Sequence, residues 1–285
     1  MSYGFQCNPS LPSEETIVAH CLNLGFVRGT TIVDPSTTLV IAWIKYGPNV
    51  TIDEARTQDW AAKALRDAGV SDVHVPCVFH AFTADYYGCS IGYIAMEYIE
   101  GIDCDSNDVE LVAKAVQALI GLQAPPTATL GHIGGGTRSI VHSFFPEWLP
   151  NVDYTSDQDF YAHIHKIFEF LCIDFRGDIS SHSRFLCPSD FNASNFRKRT
   201  TQDGRLVVVV ALDFRATCFM PLPFIEVALK KPRDRFCQSV VKKITYPHQQ
   251  LIDAKVLLSA SGSLVQYGSK PVALPFGVSP RMNCV

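Results

Sequence analysis

Nothing in these 285 residues supplies a Cys-x-x-Cys pair, a Cys/His cluster at zinc-ligand spacing, or an apolar run long enough to cross a bilayer. The cysteines stand scattered at 7, 21, 77, 89, 104, 172, 187, 218, 237 and 284. That excludes a zinc module and fits small buried hydrophobes in a reducing compartment. Positive charge is also short: 24 Lys and Arg stand against 28 Asp and Glu, a formal net charge of -4. No global attraction therefore draws the chain to nucleic acid or to an anionic membrane. The start, MSYGFQCNPSLPSEET, has neither the basic head nor the apolar run of a secretory signal. The longest apolar stretches, such as Leu206 to Leu212, fall far short of a membrane span. The expectation is a cytoplasmic protein with no nucleic-acid and no membrane partner.

What is present is a globular composition, 47% hydrophobic and 18% charged, in a chain long enough for one large domain or two lobes. "PSEETIVAHCLNLG" reads as a capped helix stopped by Gly25. "FVRGTTIV" and "TTLVIAWIKYG", separated by Asp34-Pro35-Ser36, read as a hairpin, and "TIDEARTQDWAAKALRDAG" as a helix with Thr51 at its N-cap. "VHVPCVFHAFT" and "CSIGYIAMEYIEG" are further strands. Past Gly101 the texture turns helical, in "NDVELVAKAVQALIGLQ" and "DQDFYAHIHKIFEFLCIDF". The expected fold is α+β, with a β-rich lobe over 1–98 and a helical lobe over 99–285.

Inside the helical half lies an island, "FLCPSDFNASNFRKR" followed by "VVVVALDFRA". It reads as a loop, a short strand "FRKR", a turn at Gln202-Asp203-Gly204 and a second strand ending at Asp213. Asp190, Asn195 five residues on, and then Asp213 have the spacing of D-x-x-x-x-N followed by Asp-Phe. Phosphoryl transfer needs a carboxylate to take the acceptor's proton, oxygen ligands for a hard cation, and a lysine for the donor phosphates. Lys45, ending a β-branched strand, and Glu54, on the next helix, complete the set. The bland alternatives are a solvated surface lysine, turn-forming Asp190 and Asn195, and a Glu54 that only favours its helix N-terminus, with Asp53 equally able to take its role.

"LVIAWIKYG", "DEARTQDWAAKAL", "VPCVFHAF", "YIAMEYIEG", "LCPSDFNASNF" and "ALDFRATCFMP" resemble, in that order, the aminoglycoside phosphotransferase and choline-kinase-like superfamily, most of all its fungal members of unassigned substrate. The resemblance spans roughly residues 25 to 230. It implies a protein-kinase-like fold of two lobes with ATP in the cleft. Lys45 is then expected to hold the ATP phosphates, Glu54 to orient Lys45, and the backbone of Glu97, Tyr98 and Ile99 to meet the adenine. Asp190 is expected to act as base, with Asn195 and Asp213 binding magnesium. Gly29, Thr30 and Thr31, taken to lie at the tip between the first two strands, are expected to cover the phosphates through backbone N–H groups.

Two departures favour an alternative, a kinase-like protein that binds nucleotide or a partner without turnover. Pro188-Ser189 stands where the family has His-Gly, and Arg215 follows Asp213-Phe214. The acceptor is expected to be a small-molecule hydroxyl compound. The run "EVALKKPRDRFCQSVVKK" argues against a polycationic aminoglycoside if it faces the cleft, or is a solvated helix face if it does not. "GHIGGGTRS" lacks the Gly-Lys-Ser/Thr ending and the preceding strand of a phosphate loop. The tail from Ser261 reads as a loop.

Overall fold

A computed structural model describes residues 4–25, 27–135, 140–150, 152–200, 204, 207–231, 234–245, 252–267 and 279–280. Its contacts divide the chain into two compact units, Met1–Asp103 with Arg197–Arg215, and Cys104–Phe196 with Ala216–Val285. A single boundary at 98/99 does not describe this division, because Arg197–Arg215 returns to the first unit and completes a sheet begun early in the chain.

The first unit opens with α1 (Glu14–Leu24), capped by Ser13, which accepts from the Thr16 N–H at 3.4 Å. β1 (Thr30–Val33) and β2 (Val40–Gly47) follow, and Asp34 Oδ1 closes the turn between them by accepting from both the N–H and the hydroxyl of Ser36. Thr51 caps α2 (Ile52–Asp67), accepting from the Glu54 N–H at 3.0 Å. The next apolar run is interrupted at Pro76 into β3 (Val73–His74) and β4 (Val78–Tyr86), and β5 (Cys89–Met96) and β6 (Ile102–Asp103) follow. The second unit holds α3 (Val109–Ile120), β7 (Val152–Asp153), α4 (Asp157–Phe170) with a Ser156/Asp159 capping box, and β8 (Arg184–Pro188). Most of β9 (Phe196–Thr200) and all of β10 (Val207–Ala211) belong to the first unit. The expected turn residues Gln202 and Asp203 between them lie outside the described residues. β11 (Thr217–Pro221), α5 (Leu222–Lys230), α6 (Arg235–Val241), α7 (Ile252–Tyr267) and β12 (Ser279–Pro280) belong to the second unit.

The fold is α+β, as expected. In the first unit β1, β2, β5 and β4 form an antiparallel sheet in that order, with α1 and α2 on opposite faces. Strand alternation sorts the side chains. Ala42, Ile44 and Tyr46 of β2 pack with Ile91, Tyr93 and Ala95 of β5 against Ile17 and Cys21 of α1. Trp43 of β2 and Ile94 and Met96 of β5 face the other way, toward Ala55 of α2. Lys45, two residues on from Trp43, is therefore turned to the α2 face. A second sheet runs β3-β10-β9-β6, with β10 parallel to β3.

In the second unit β8 pairs antiparallel with β11, from Arg184↔Pro221 to Pro188↔Thr217. The expected loop at "RFLCP" is thus a strand. β11 is buried along its whole length and β8 along its last three residues, so neither shows the period-two signature that a half-buried strand writes into its sequence. Around this strand pair the core is aromatic, built on Phe144, Phe160 and Phe224. The tail is also corrected in part: α7 continues to Tyr267, and Ser261, read as the start of a loop, is a buried helical residue donating to the Phe144 carbonyl at 2.7 Å. Residues 268–278 and 281–285 lie outside the described residues. No helix among the described residues is long and apolar enough to cross a membrane.

Candidate active site

Lys45 projects from β2 toward the first turn of α2. Its Nζ donates to Glu54 Oε1 at 2.5 Å and to Asp213 Oδ1 at 2.7 Å. The Thr51 cap fixes the α2 N-terminus, and Glu54, whose own N–H is bonded there, is 1% exposed. Asp53, the other candidate, pairs instead with Arg56 at 3.0 Å, so only Glu54 reaches the lysine. Asp213 stands two residues past the end of β10, whose pairing with β3 brings it to the same place. A surface lysine and a carboxylate serving only its helix end are both excluded by this geometry.

The charges support one another. Burial disfavours the Lys45 ammonium, but Glu54 and Asp213 outweigh it and hold its pKa above the ordinary lysine value. Burial likewise works against the Asp213 carboxylate, and is outweighed by Lys45, the Arg215 N–H and Arg28, which hold its pKa below the usual range. Arg215 meets Asp213 through its backbone N–H, at 3.0 Å, while its side chain is exposed.

Lys45 and Asp213 line a cavity of about 260 Å³ within the first unit, with Arg28, Trp43, Met96, Glu97, Tyr98, Ile99, Asp103, Arg197 and Leu212. The three expected adenine-facing residues are therefore on its wall. Glu97 turns its carboxylate away to His74 Nε2, at 2.7 Å, and to the Cys77 N–H, at 3.2 Å. Burial opposes its charge, but those two partners prevail and lower its pKa. The Ile99 carbonyl accepts from Arg197 Nη1 at 2.8 Å, and Arg197 Nε donates to Asp103 at 2.9 Å. Arg28, Trp43, Asp103 and Arg197 were not anticipated. The signal for Arg197 was its place two residues past Asn195, masked by the charged look of "FRKR".

Gly29, Thr30 and Thr31 need a correction. Thr30 and Thr31 are the first residues of β1, opposite Ile44 and Trp43, while the tip of the β1–β2 hairpin is closed by Asp34 to Leu39. Thr30 Oγ1 contacts His20 Nε2 at 3.2 Å, and a Cβ on Gly29 would meet the Trp43 ring at 2.5 Å. Backbone pairing with β2, which begins at Thr30, takes these residues out of the turn in which they were expected to cover phosphates.

Asp190 and Asn195 belong to the second unit. The loop between them is held by its own amides: Asn192 Nδ2 donates to Asp190 Oδ1 at 2.5 Å, and Asn195 Nδ2 donates to the Asp190 carbonyl at 3.2 Å. Asn195 is buried and ends a short 3₁₀ turn. Ser189, fully buried, donates its N–H to the Ala216 carbonyl at 2.7 Å, and His142 Nε2 lies 3.4 Å from Cys187 Sγ beneath the same strand. In the basic run, Lys230 is paired with buried Glu226, Lys231 donates to the Ser143 carbonyl, and Lys243 pairs with Glu110. Arg233 lies outside the described residues. Of "GHIGGGTRS", Gly131 bridges to Phe219, and 136–139 lie outside the described residues. A larger cavity of the second unit, about 830 Å³, is lined by Asp157, Tyr161, His165, Asp178 and Arg184 among others and holds none of the expected site residues.

No protein-family model matches the chain, and no curated protein matches it. Among solved structures it is similar to a microcompartment-associated aminopropanol kinase, at 14% identity over 89% of this chain and 87% of that one, with a TM-score of 0.47. It is also similar to a choline kinase from Streptococcus pneumoniae, at 14% identity over 93% of each chain and a TM-score of 0.40. A third is a spectinomycin phosphotransferase in complex with ADP and spectinomycin, at 15% identity over 83% of this chain and 77% of that one, with a TM-score of 0.39.

Proposed function

We propose that the protein is a phosphotransferase that binds ATP with magnesium and transfers a phosphoryl group to the hydroxyl of a small molecule. The observation that carries this reading is the Lys45 ammonium, suspended between Glu54 and Asp213 on the wall of a cavity that also exposes the Glu97–Ile99 segment. An ammonium has three donors, and the two carboxylates use two of them, so a phosphate oxygen can take the third. Glu54, buried behind the lysine, keeps that charge in place as phosphates arrive.

In this reading the Asp213 carboxylate, which stays ionised because its pKa is lowered, would supply a hard oxygen ligand to magnesium, and Asn195 is the other ligand expected from the D-x-x-x-x-N spacing. Bound magnesium supplies neutralisation of charge on the phosphate oxygens. In this reading Asp190 accepts the proton of the attacking hydroxyl, and the chain is a protein-kinase-like enzyme akin to the fungal members of the superfamily. The case against a polycationic acceptor weakens, since Lys230 and Lys231 are engaged within their own unit. Amino alcohols, sugars and an aminoglycoside therefore all belong in the acceptor panel.

Calorimetric titration of ATP with and without magnesium, on the wild type and Asp213→Ala, is the first test. Magnesium-dependent binding that the variant loses is expected, and no binding by the wild type overturns the reading. Acceptor-dependent ADP release should then fall by a factor of about 10² to 10⁴ in Asp190→Asn. Nucleotide binding with no ADP release across the panel would instead establish the non-catalytic alternative raised by Pro188-Ser189 and Arg215.

A further inference from the structure

We infer that a second cavity of the first unit, of about 330 Å³, is a binding site for a small organic anion, a phosphate or carboxylate head carried on an apolar body. The last turns of α2 supply Ala62, Leu65 and Arg66 to its wall, the chain around β3 supplies Val73, His74 and Val75, and β9 supplies Arg199. All of these residues belong to the first unit, and none of the expected site residues is among the described residues that line the cavity.

The wall divides into two chemistries. Leu65, Val73 and Val75 are buried and form an apolar floor, with Ala62 beside them. Arg66, His74 and Arg199 supply basic groups, and no aspartate or glutamate is among the described residues of the wall. The other two cavities differ: one carries Glu97, Asp103 and Asp213, the other Asp157 and Asp178. In a chain of net charge -4, a cavity wall with cations and no acid departs from the charge of the whole molecule. The two arginines are also uncommitted. Arg66 is exposed, donates to Cys77 Sγ at 3.8 Å and joins no ion pair among the described residues. Arg199 acts on the Glu97 carboxylate through its charge without pairing with it, because that carboxylate is bonded to His74 and to the Cys77 N–H. His74 is thereby engaged, and the two guanidiniums remain for a ligand. A guanidinium offers N–H groups in a planar fork that fits carboxylate and phosphate oxygens. Like charges on one cavity wall repel each other, and a bound anion relieves that repulsion. The floor selects in turn for an apolar body, which gains by leaving water where a bare hydrated ion does not.

The experiment titrates phenyl phosphate, benzoate, inorganic phosphate and benzylammonium into the full chain by calorimetry, for the wild type, Arg66→Gln, Arg199→Gln and Arg176→Gln. Arg176 is an exposed arginine of the second unit and controls for the loss of one charge. The wild type is expected to bind the aromatic anions, the tighter of the two identifying the head group, and to bind no benzylammonium. Inorganic phosphate should bind about tenfold more weakly than phenyl phosphate. Arg66→Gln and Arg199→Gln should each weaken the tighter aromatic anion by about tenfold, with Arg176→Gln unchanged. Arg66 is exposed, so its replacement leaves the core intact and reads the effect even if Arg199→Gln fails to fold. No binding of either aromatic anion overturns the inference. So does an affinity unmoved by Arg66→Gln, which would put the ligand elsewhere, an equal loss in Arg176→Gln, or inorganic phosphate binding as tightly as phenyl phosphate. No nucleotide enters this test, and its outcome is separate from that of the phosphotransferase reading.

Discussion

Lys45 joins carboxylates 9 and 168 residues away in the chain, and those two separations divide what could be foreseen from what could not. The near one is local: an alternating strand, a turn and a capped helix put Glu54 within reach. Removing the cation leaves Glu54 buried and unpaired, so Lys45→Met should cost about 3–5 kcal/mol, and adding Glu54→Gln should restore much of it. Denaturant midpoints of the two variants check this, and a midpoint unchanged in Lys45→Met would refute it. Asp213 adds a pH dependence. Its folded pKa is depressed, so its contribution is complete above the usual carboxylate range and is lost as pH falls through the folded value. The stability gap between the wild type and Asp213→Asn should accordingly close in acid.

At the scale of elements, the α2 N-terminus controls the site. Gly92 in β5 has no side chain because the backbone of Val50, just ahead of the Thr51 cap, passes over it, and a Cβ would run into the Val50 carbonyl. Gly92→Ala should push the cap, and Glu54 with it, away from β2. Both the melting temperature and the affinity for magnesium-ATP are expected to drop, and a loss of one without the other would break the proposed link between cap and site. Thr51→Ala, which removes only the capping bond, should cost about 1 kcal/mol. The helices and hairpin of the first unit were legible because their caps and turn residues are local signals: Ser13, Gly25, Asp34, Thr51. The β8–β11 pair was not, because buried strands show no alternation, and the helical run from Ser261 hid behind its Gly and Ser content.

For the whole molecule, His163 sets a pH window. It is buried in the second unit, with Nδ1 on the Tyr154 hydroxyl at 2.7 Å, and burial pushes its pKa down from 6.5 to about 4. Between those values the unfolded chain binds a proton that the folded chain refuses, so stability falls as pH drops from 6.5 toward 4. The fall should be on the order of 3 kcal/mol and should be largely absent in His163→Gln, as read from unfolding at a series of pH values.

The sequence by itself determined the α+β class, the capped helices, the Lys45–Glu54 pair and the spacing of Asp190, Asn195 and Asp213, because each is written within a few turns of chain. Only the tertiary structure decided that Arg197–Arg215 returns to the first unit, that Asp213 reaches Lys45, that Thr30 and Thr31 begin a strand and do not sit at a hairpin tip, and that Arg197 grips Ile99. Apart from the local β1–β2 hairpin, these are pairings between distant segments, set by which buried strands find each other. A fully buried strand carries no local mark of its partner.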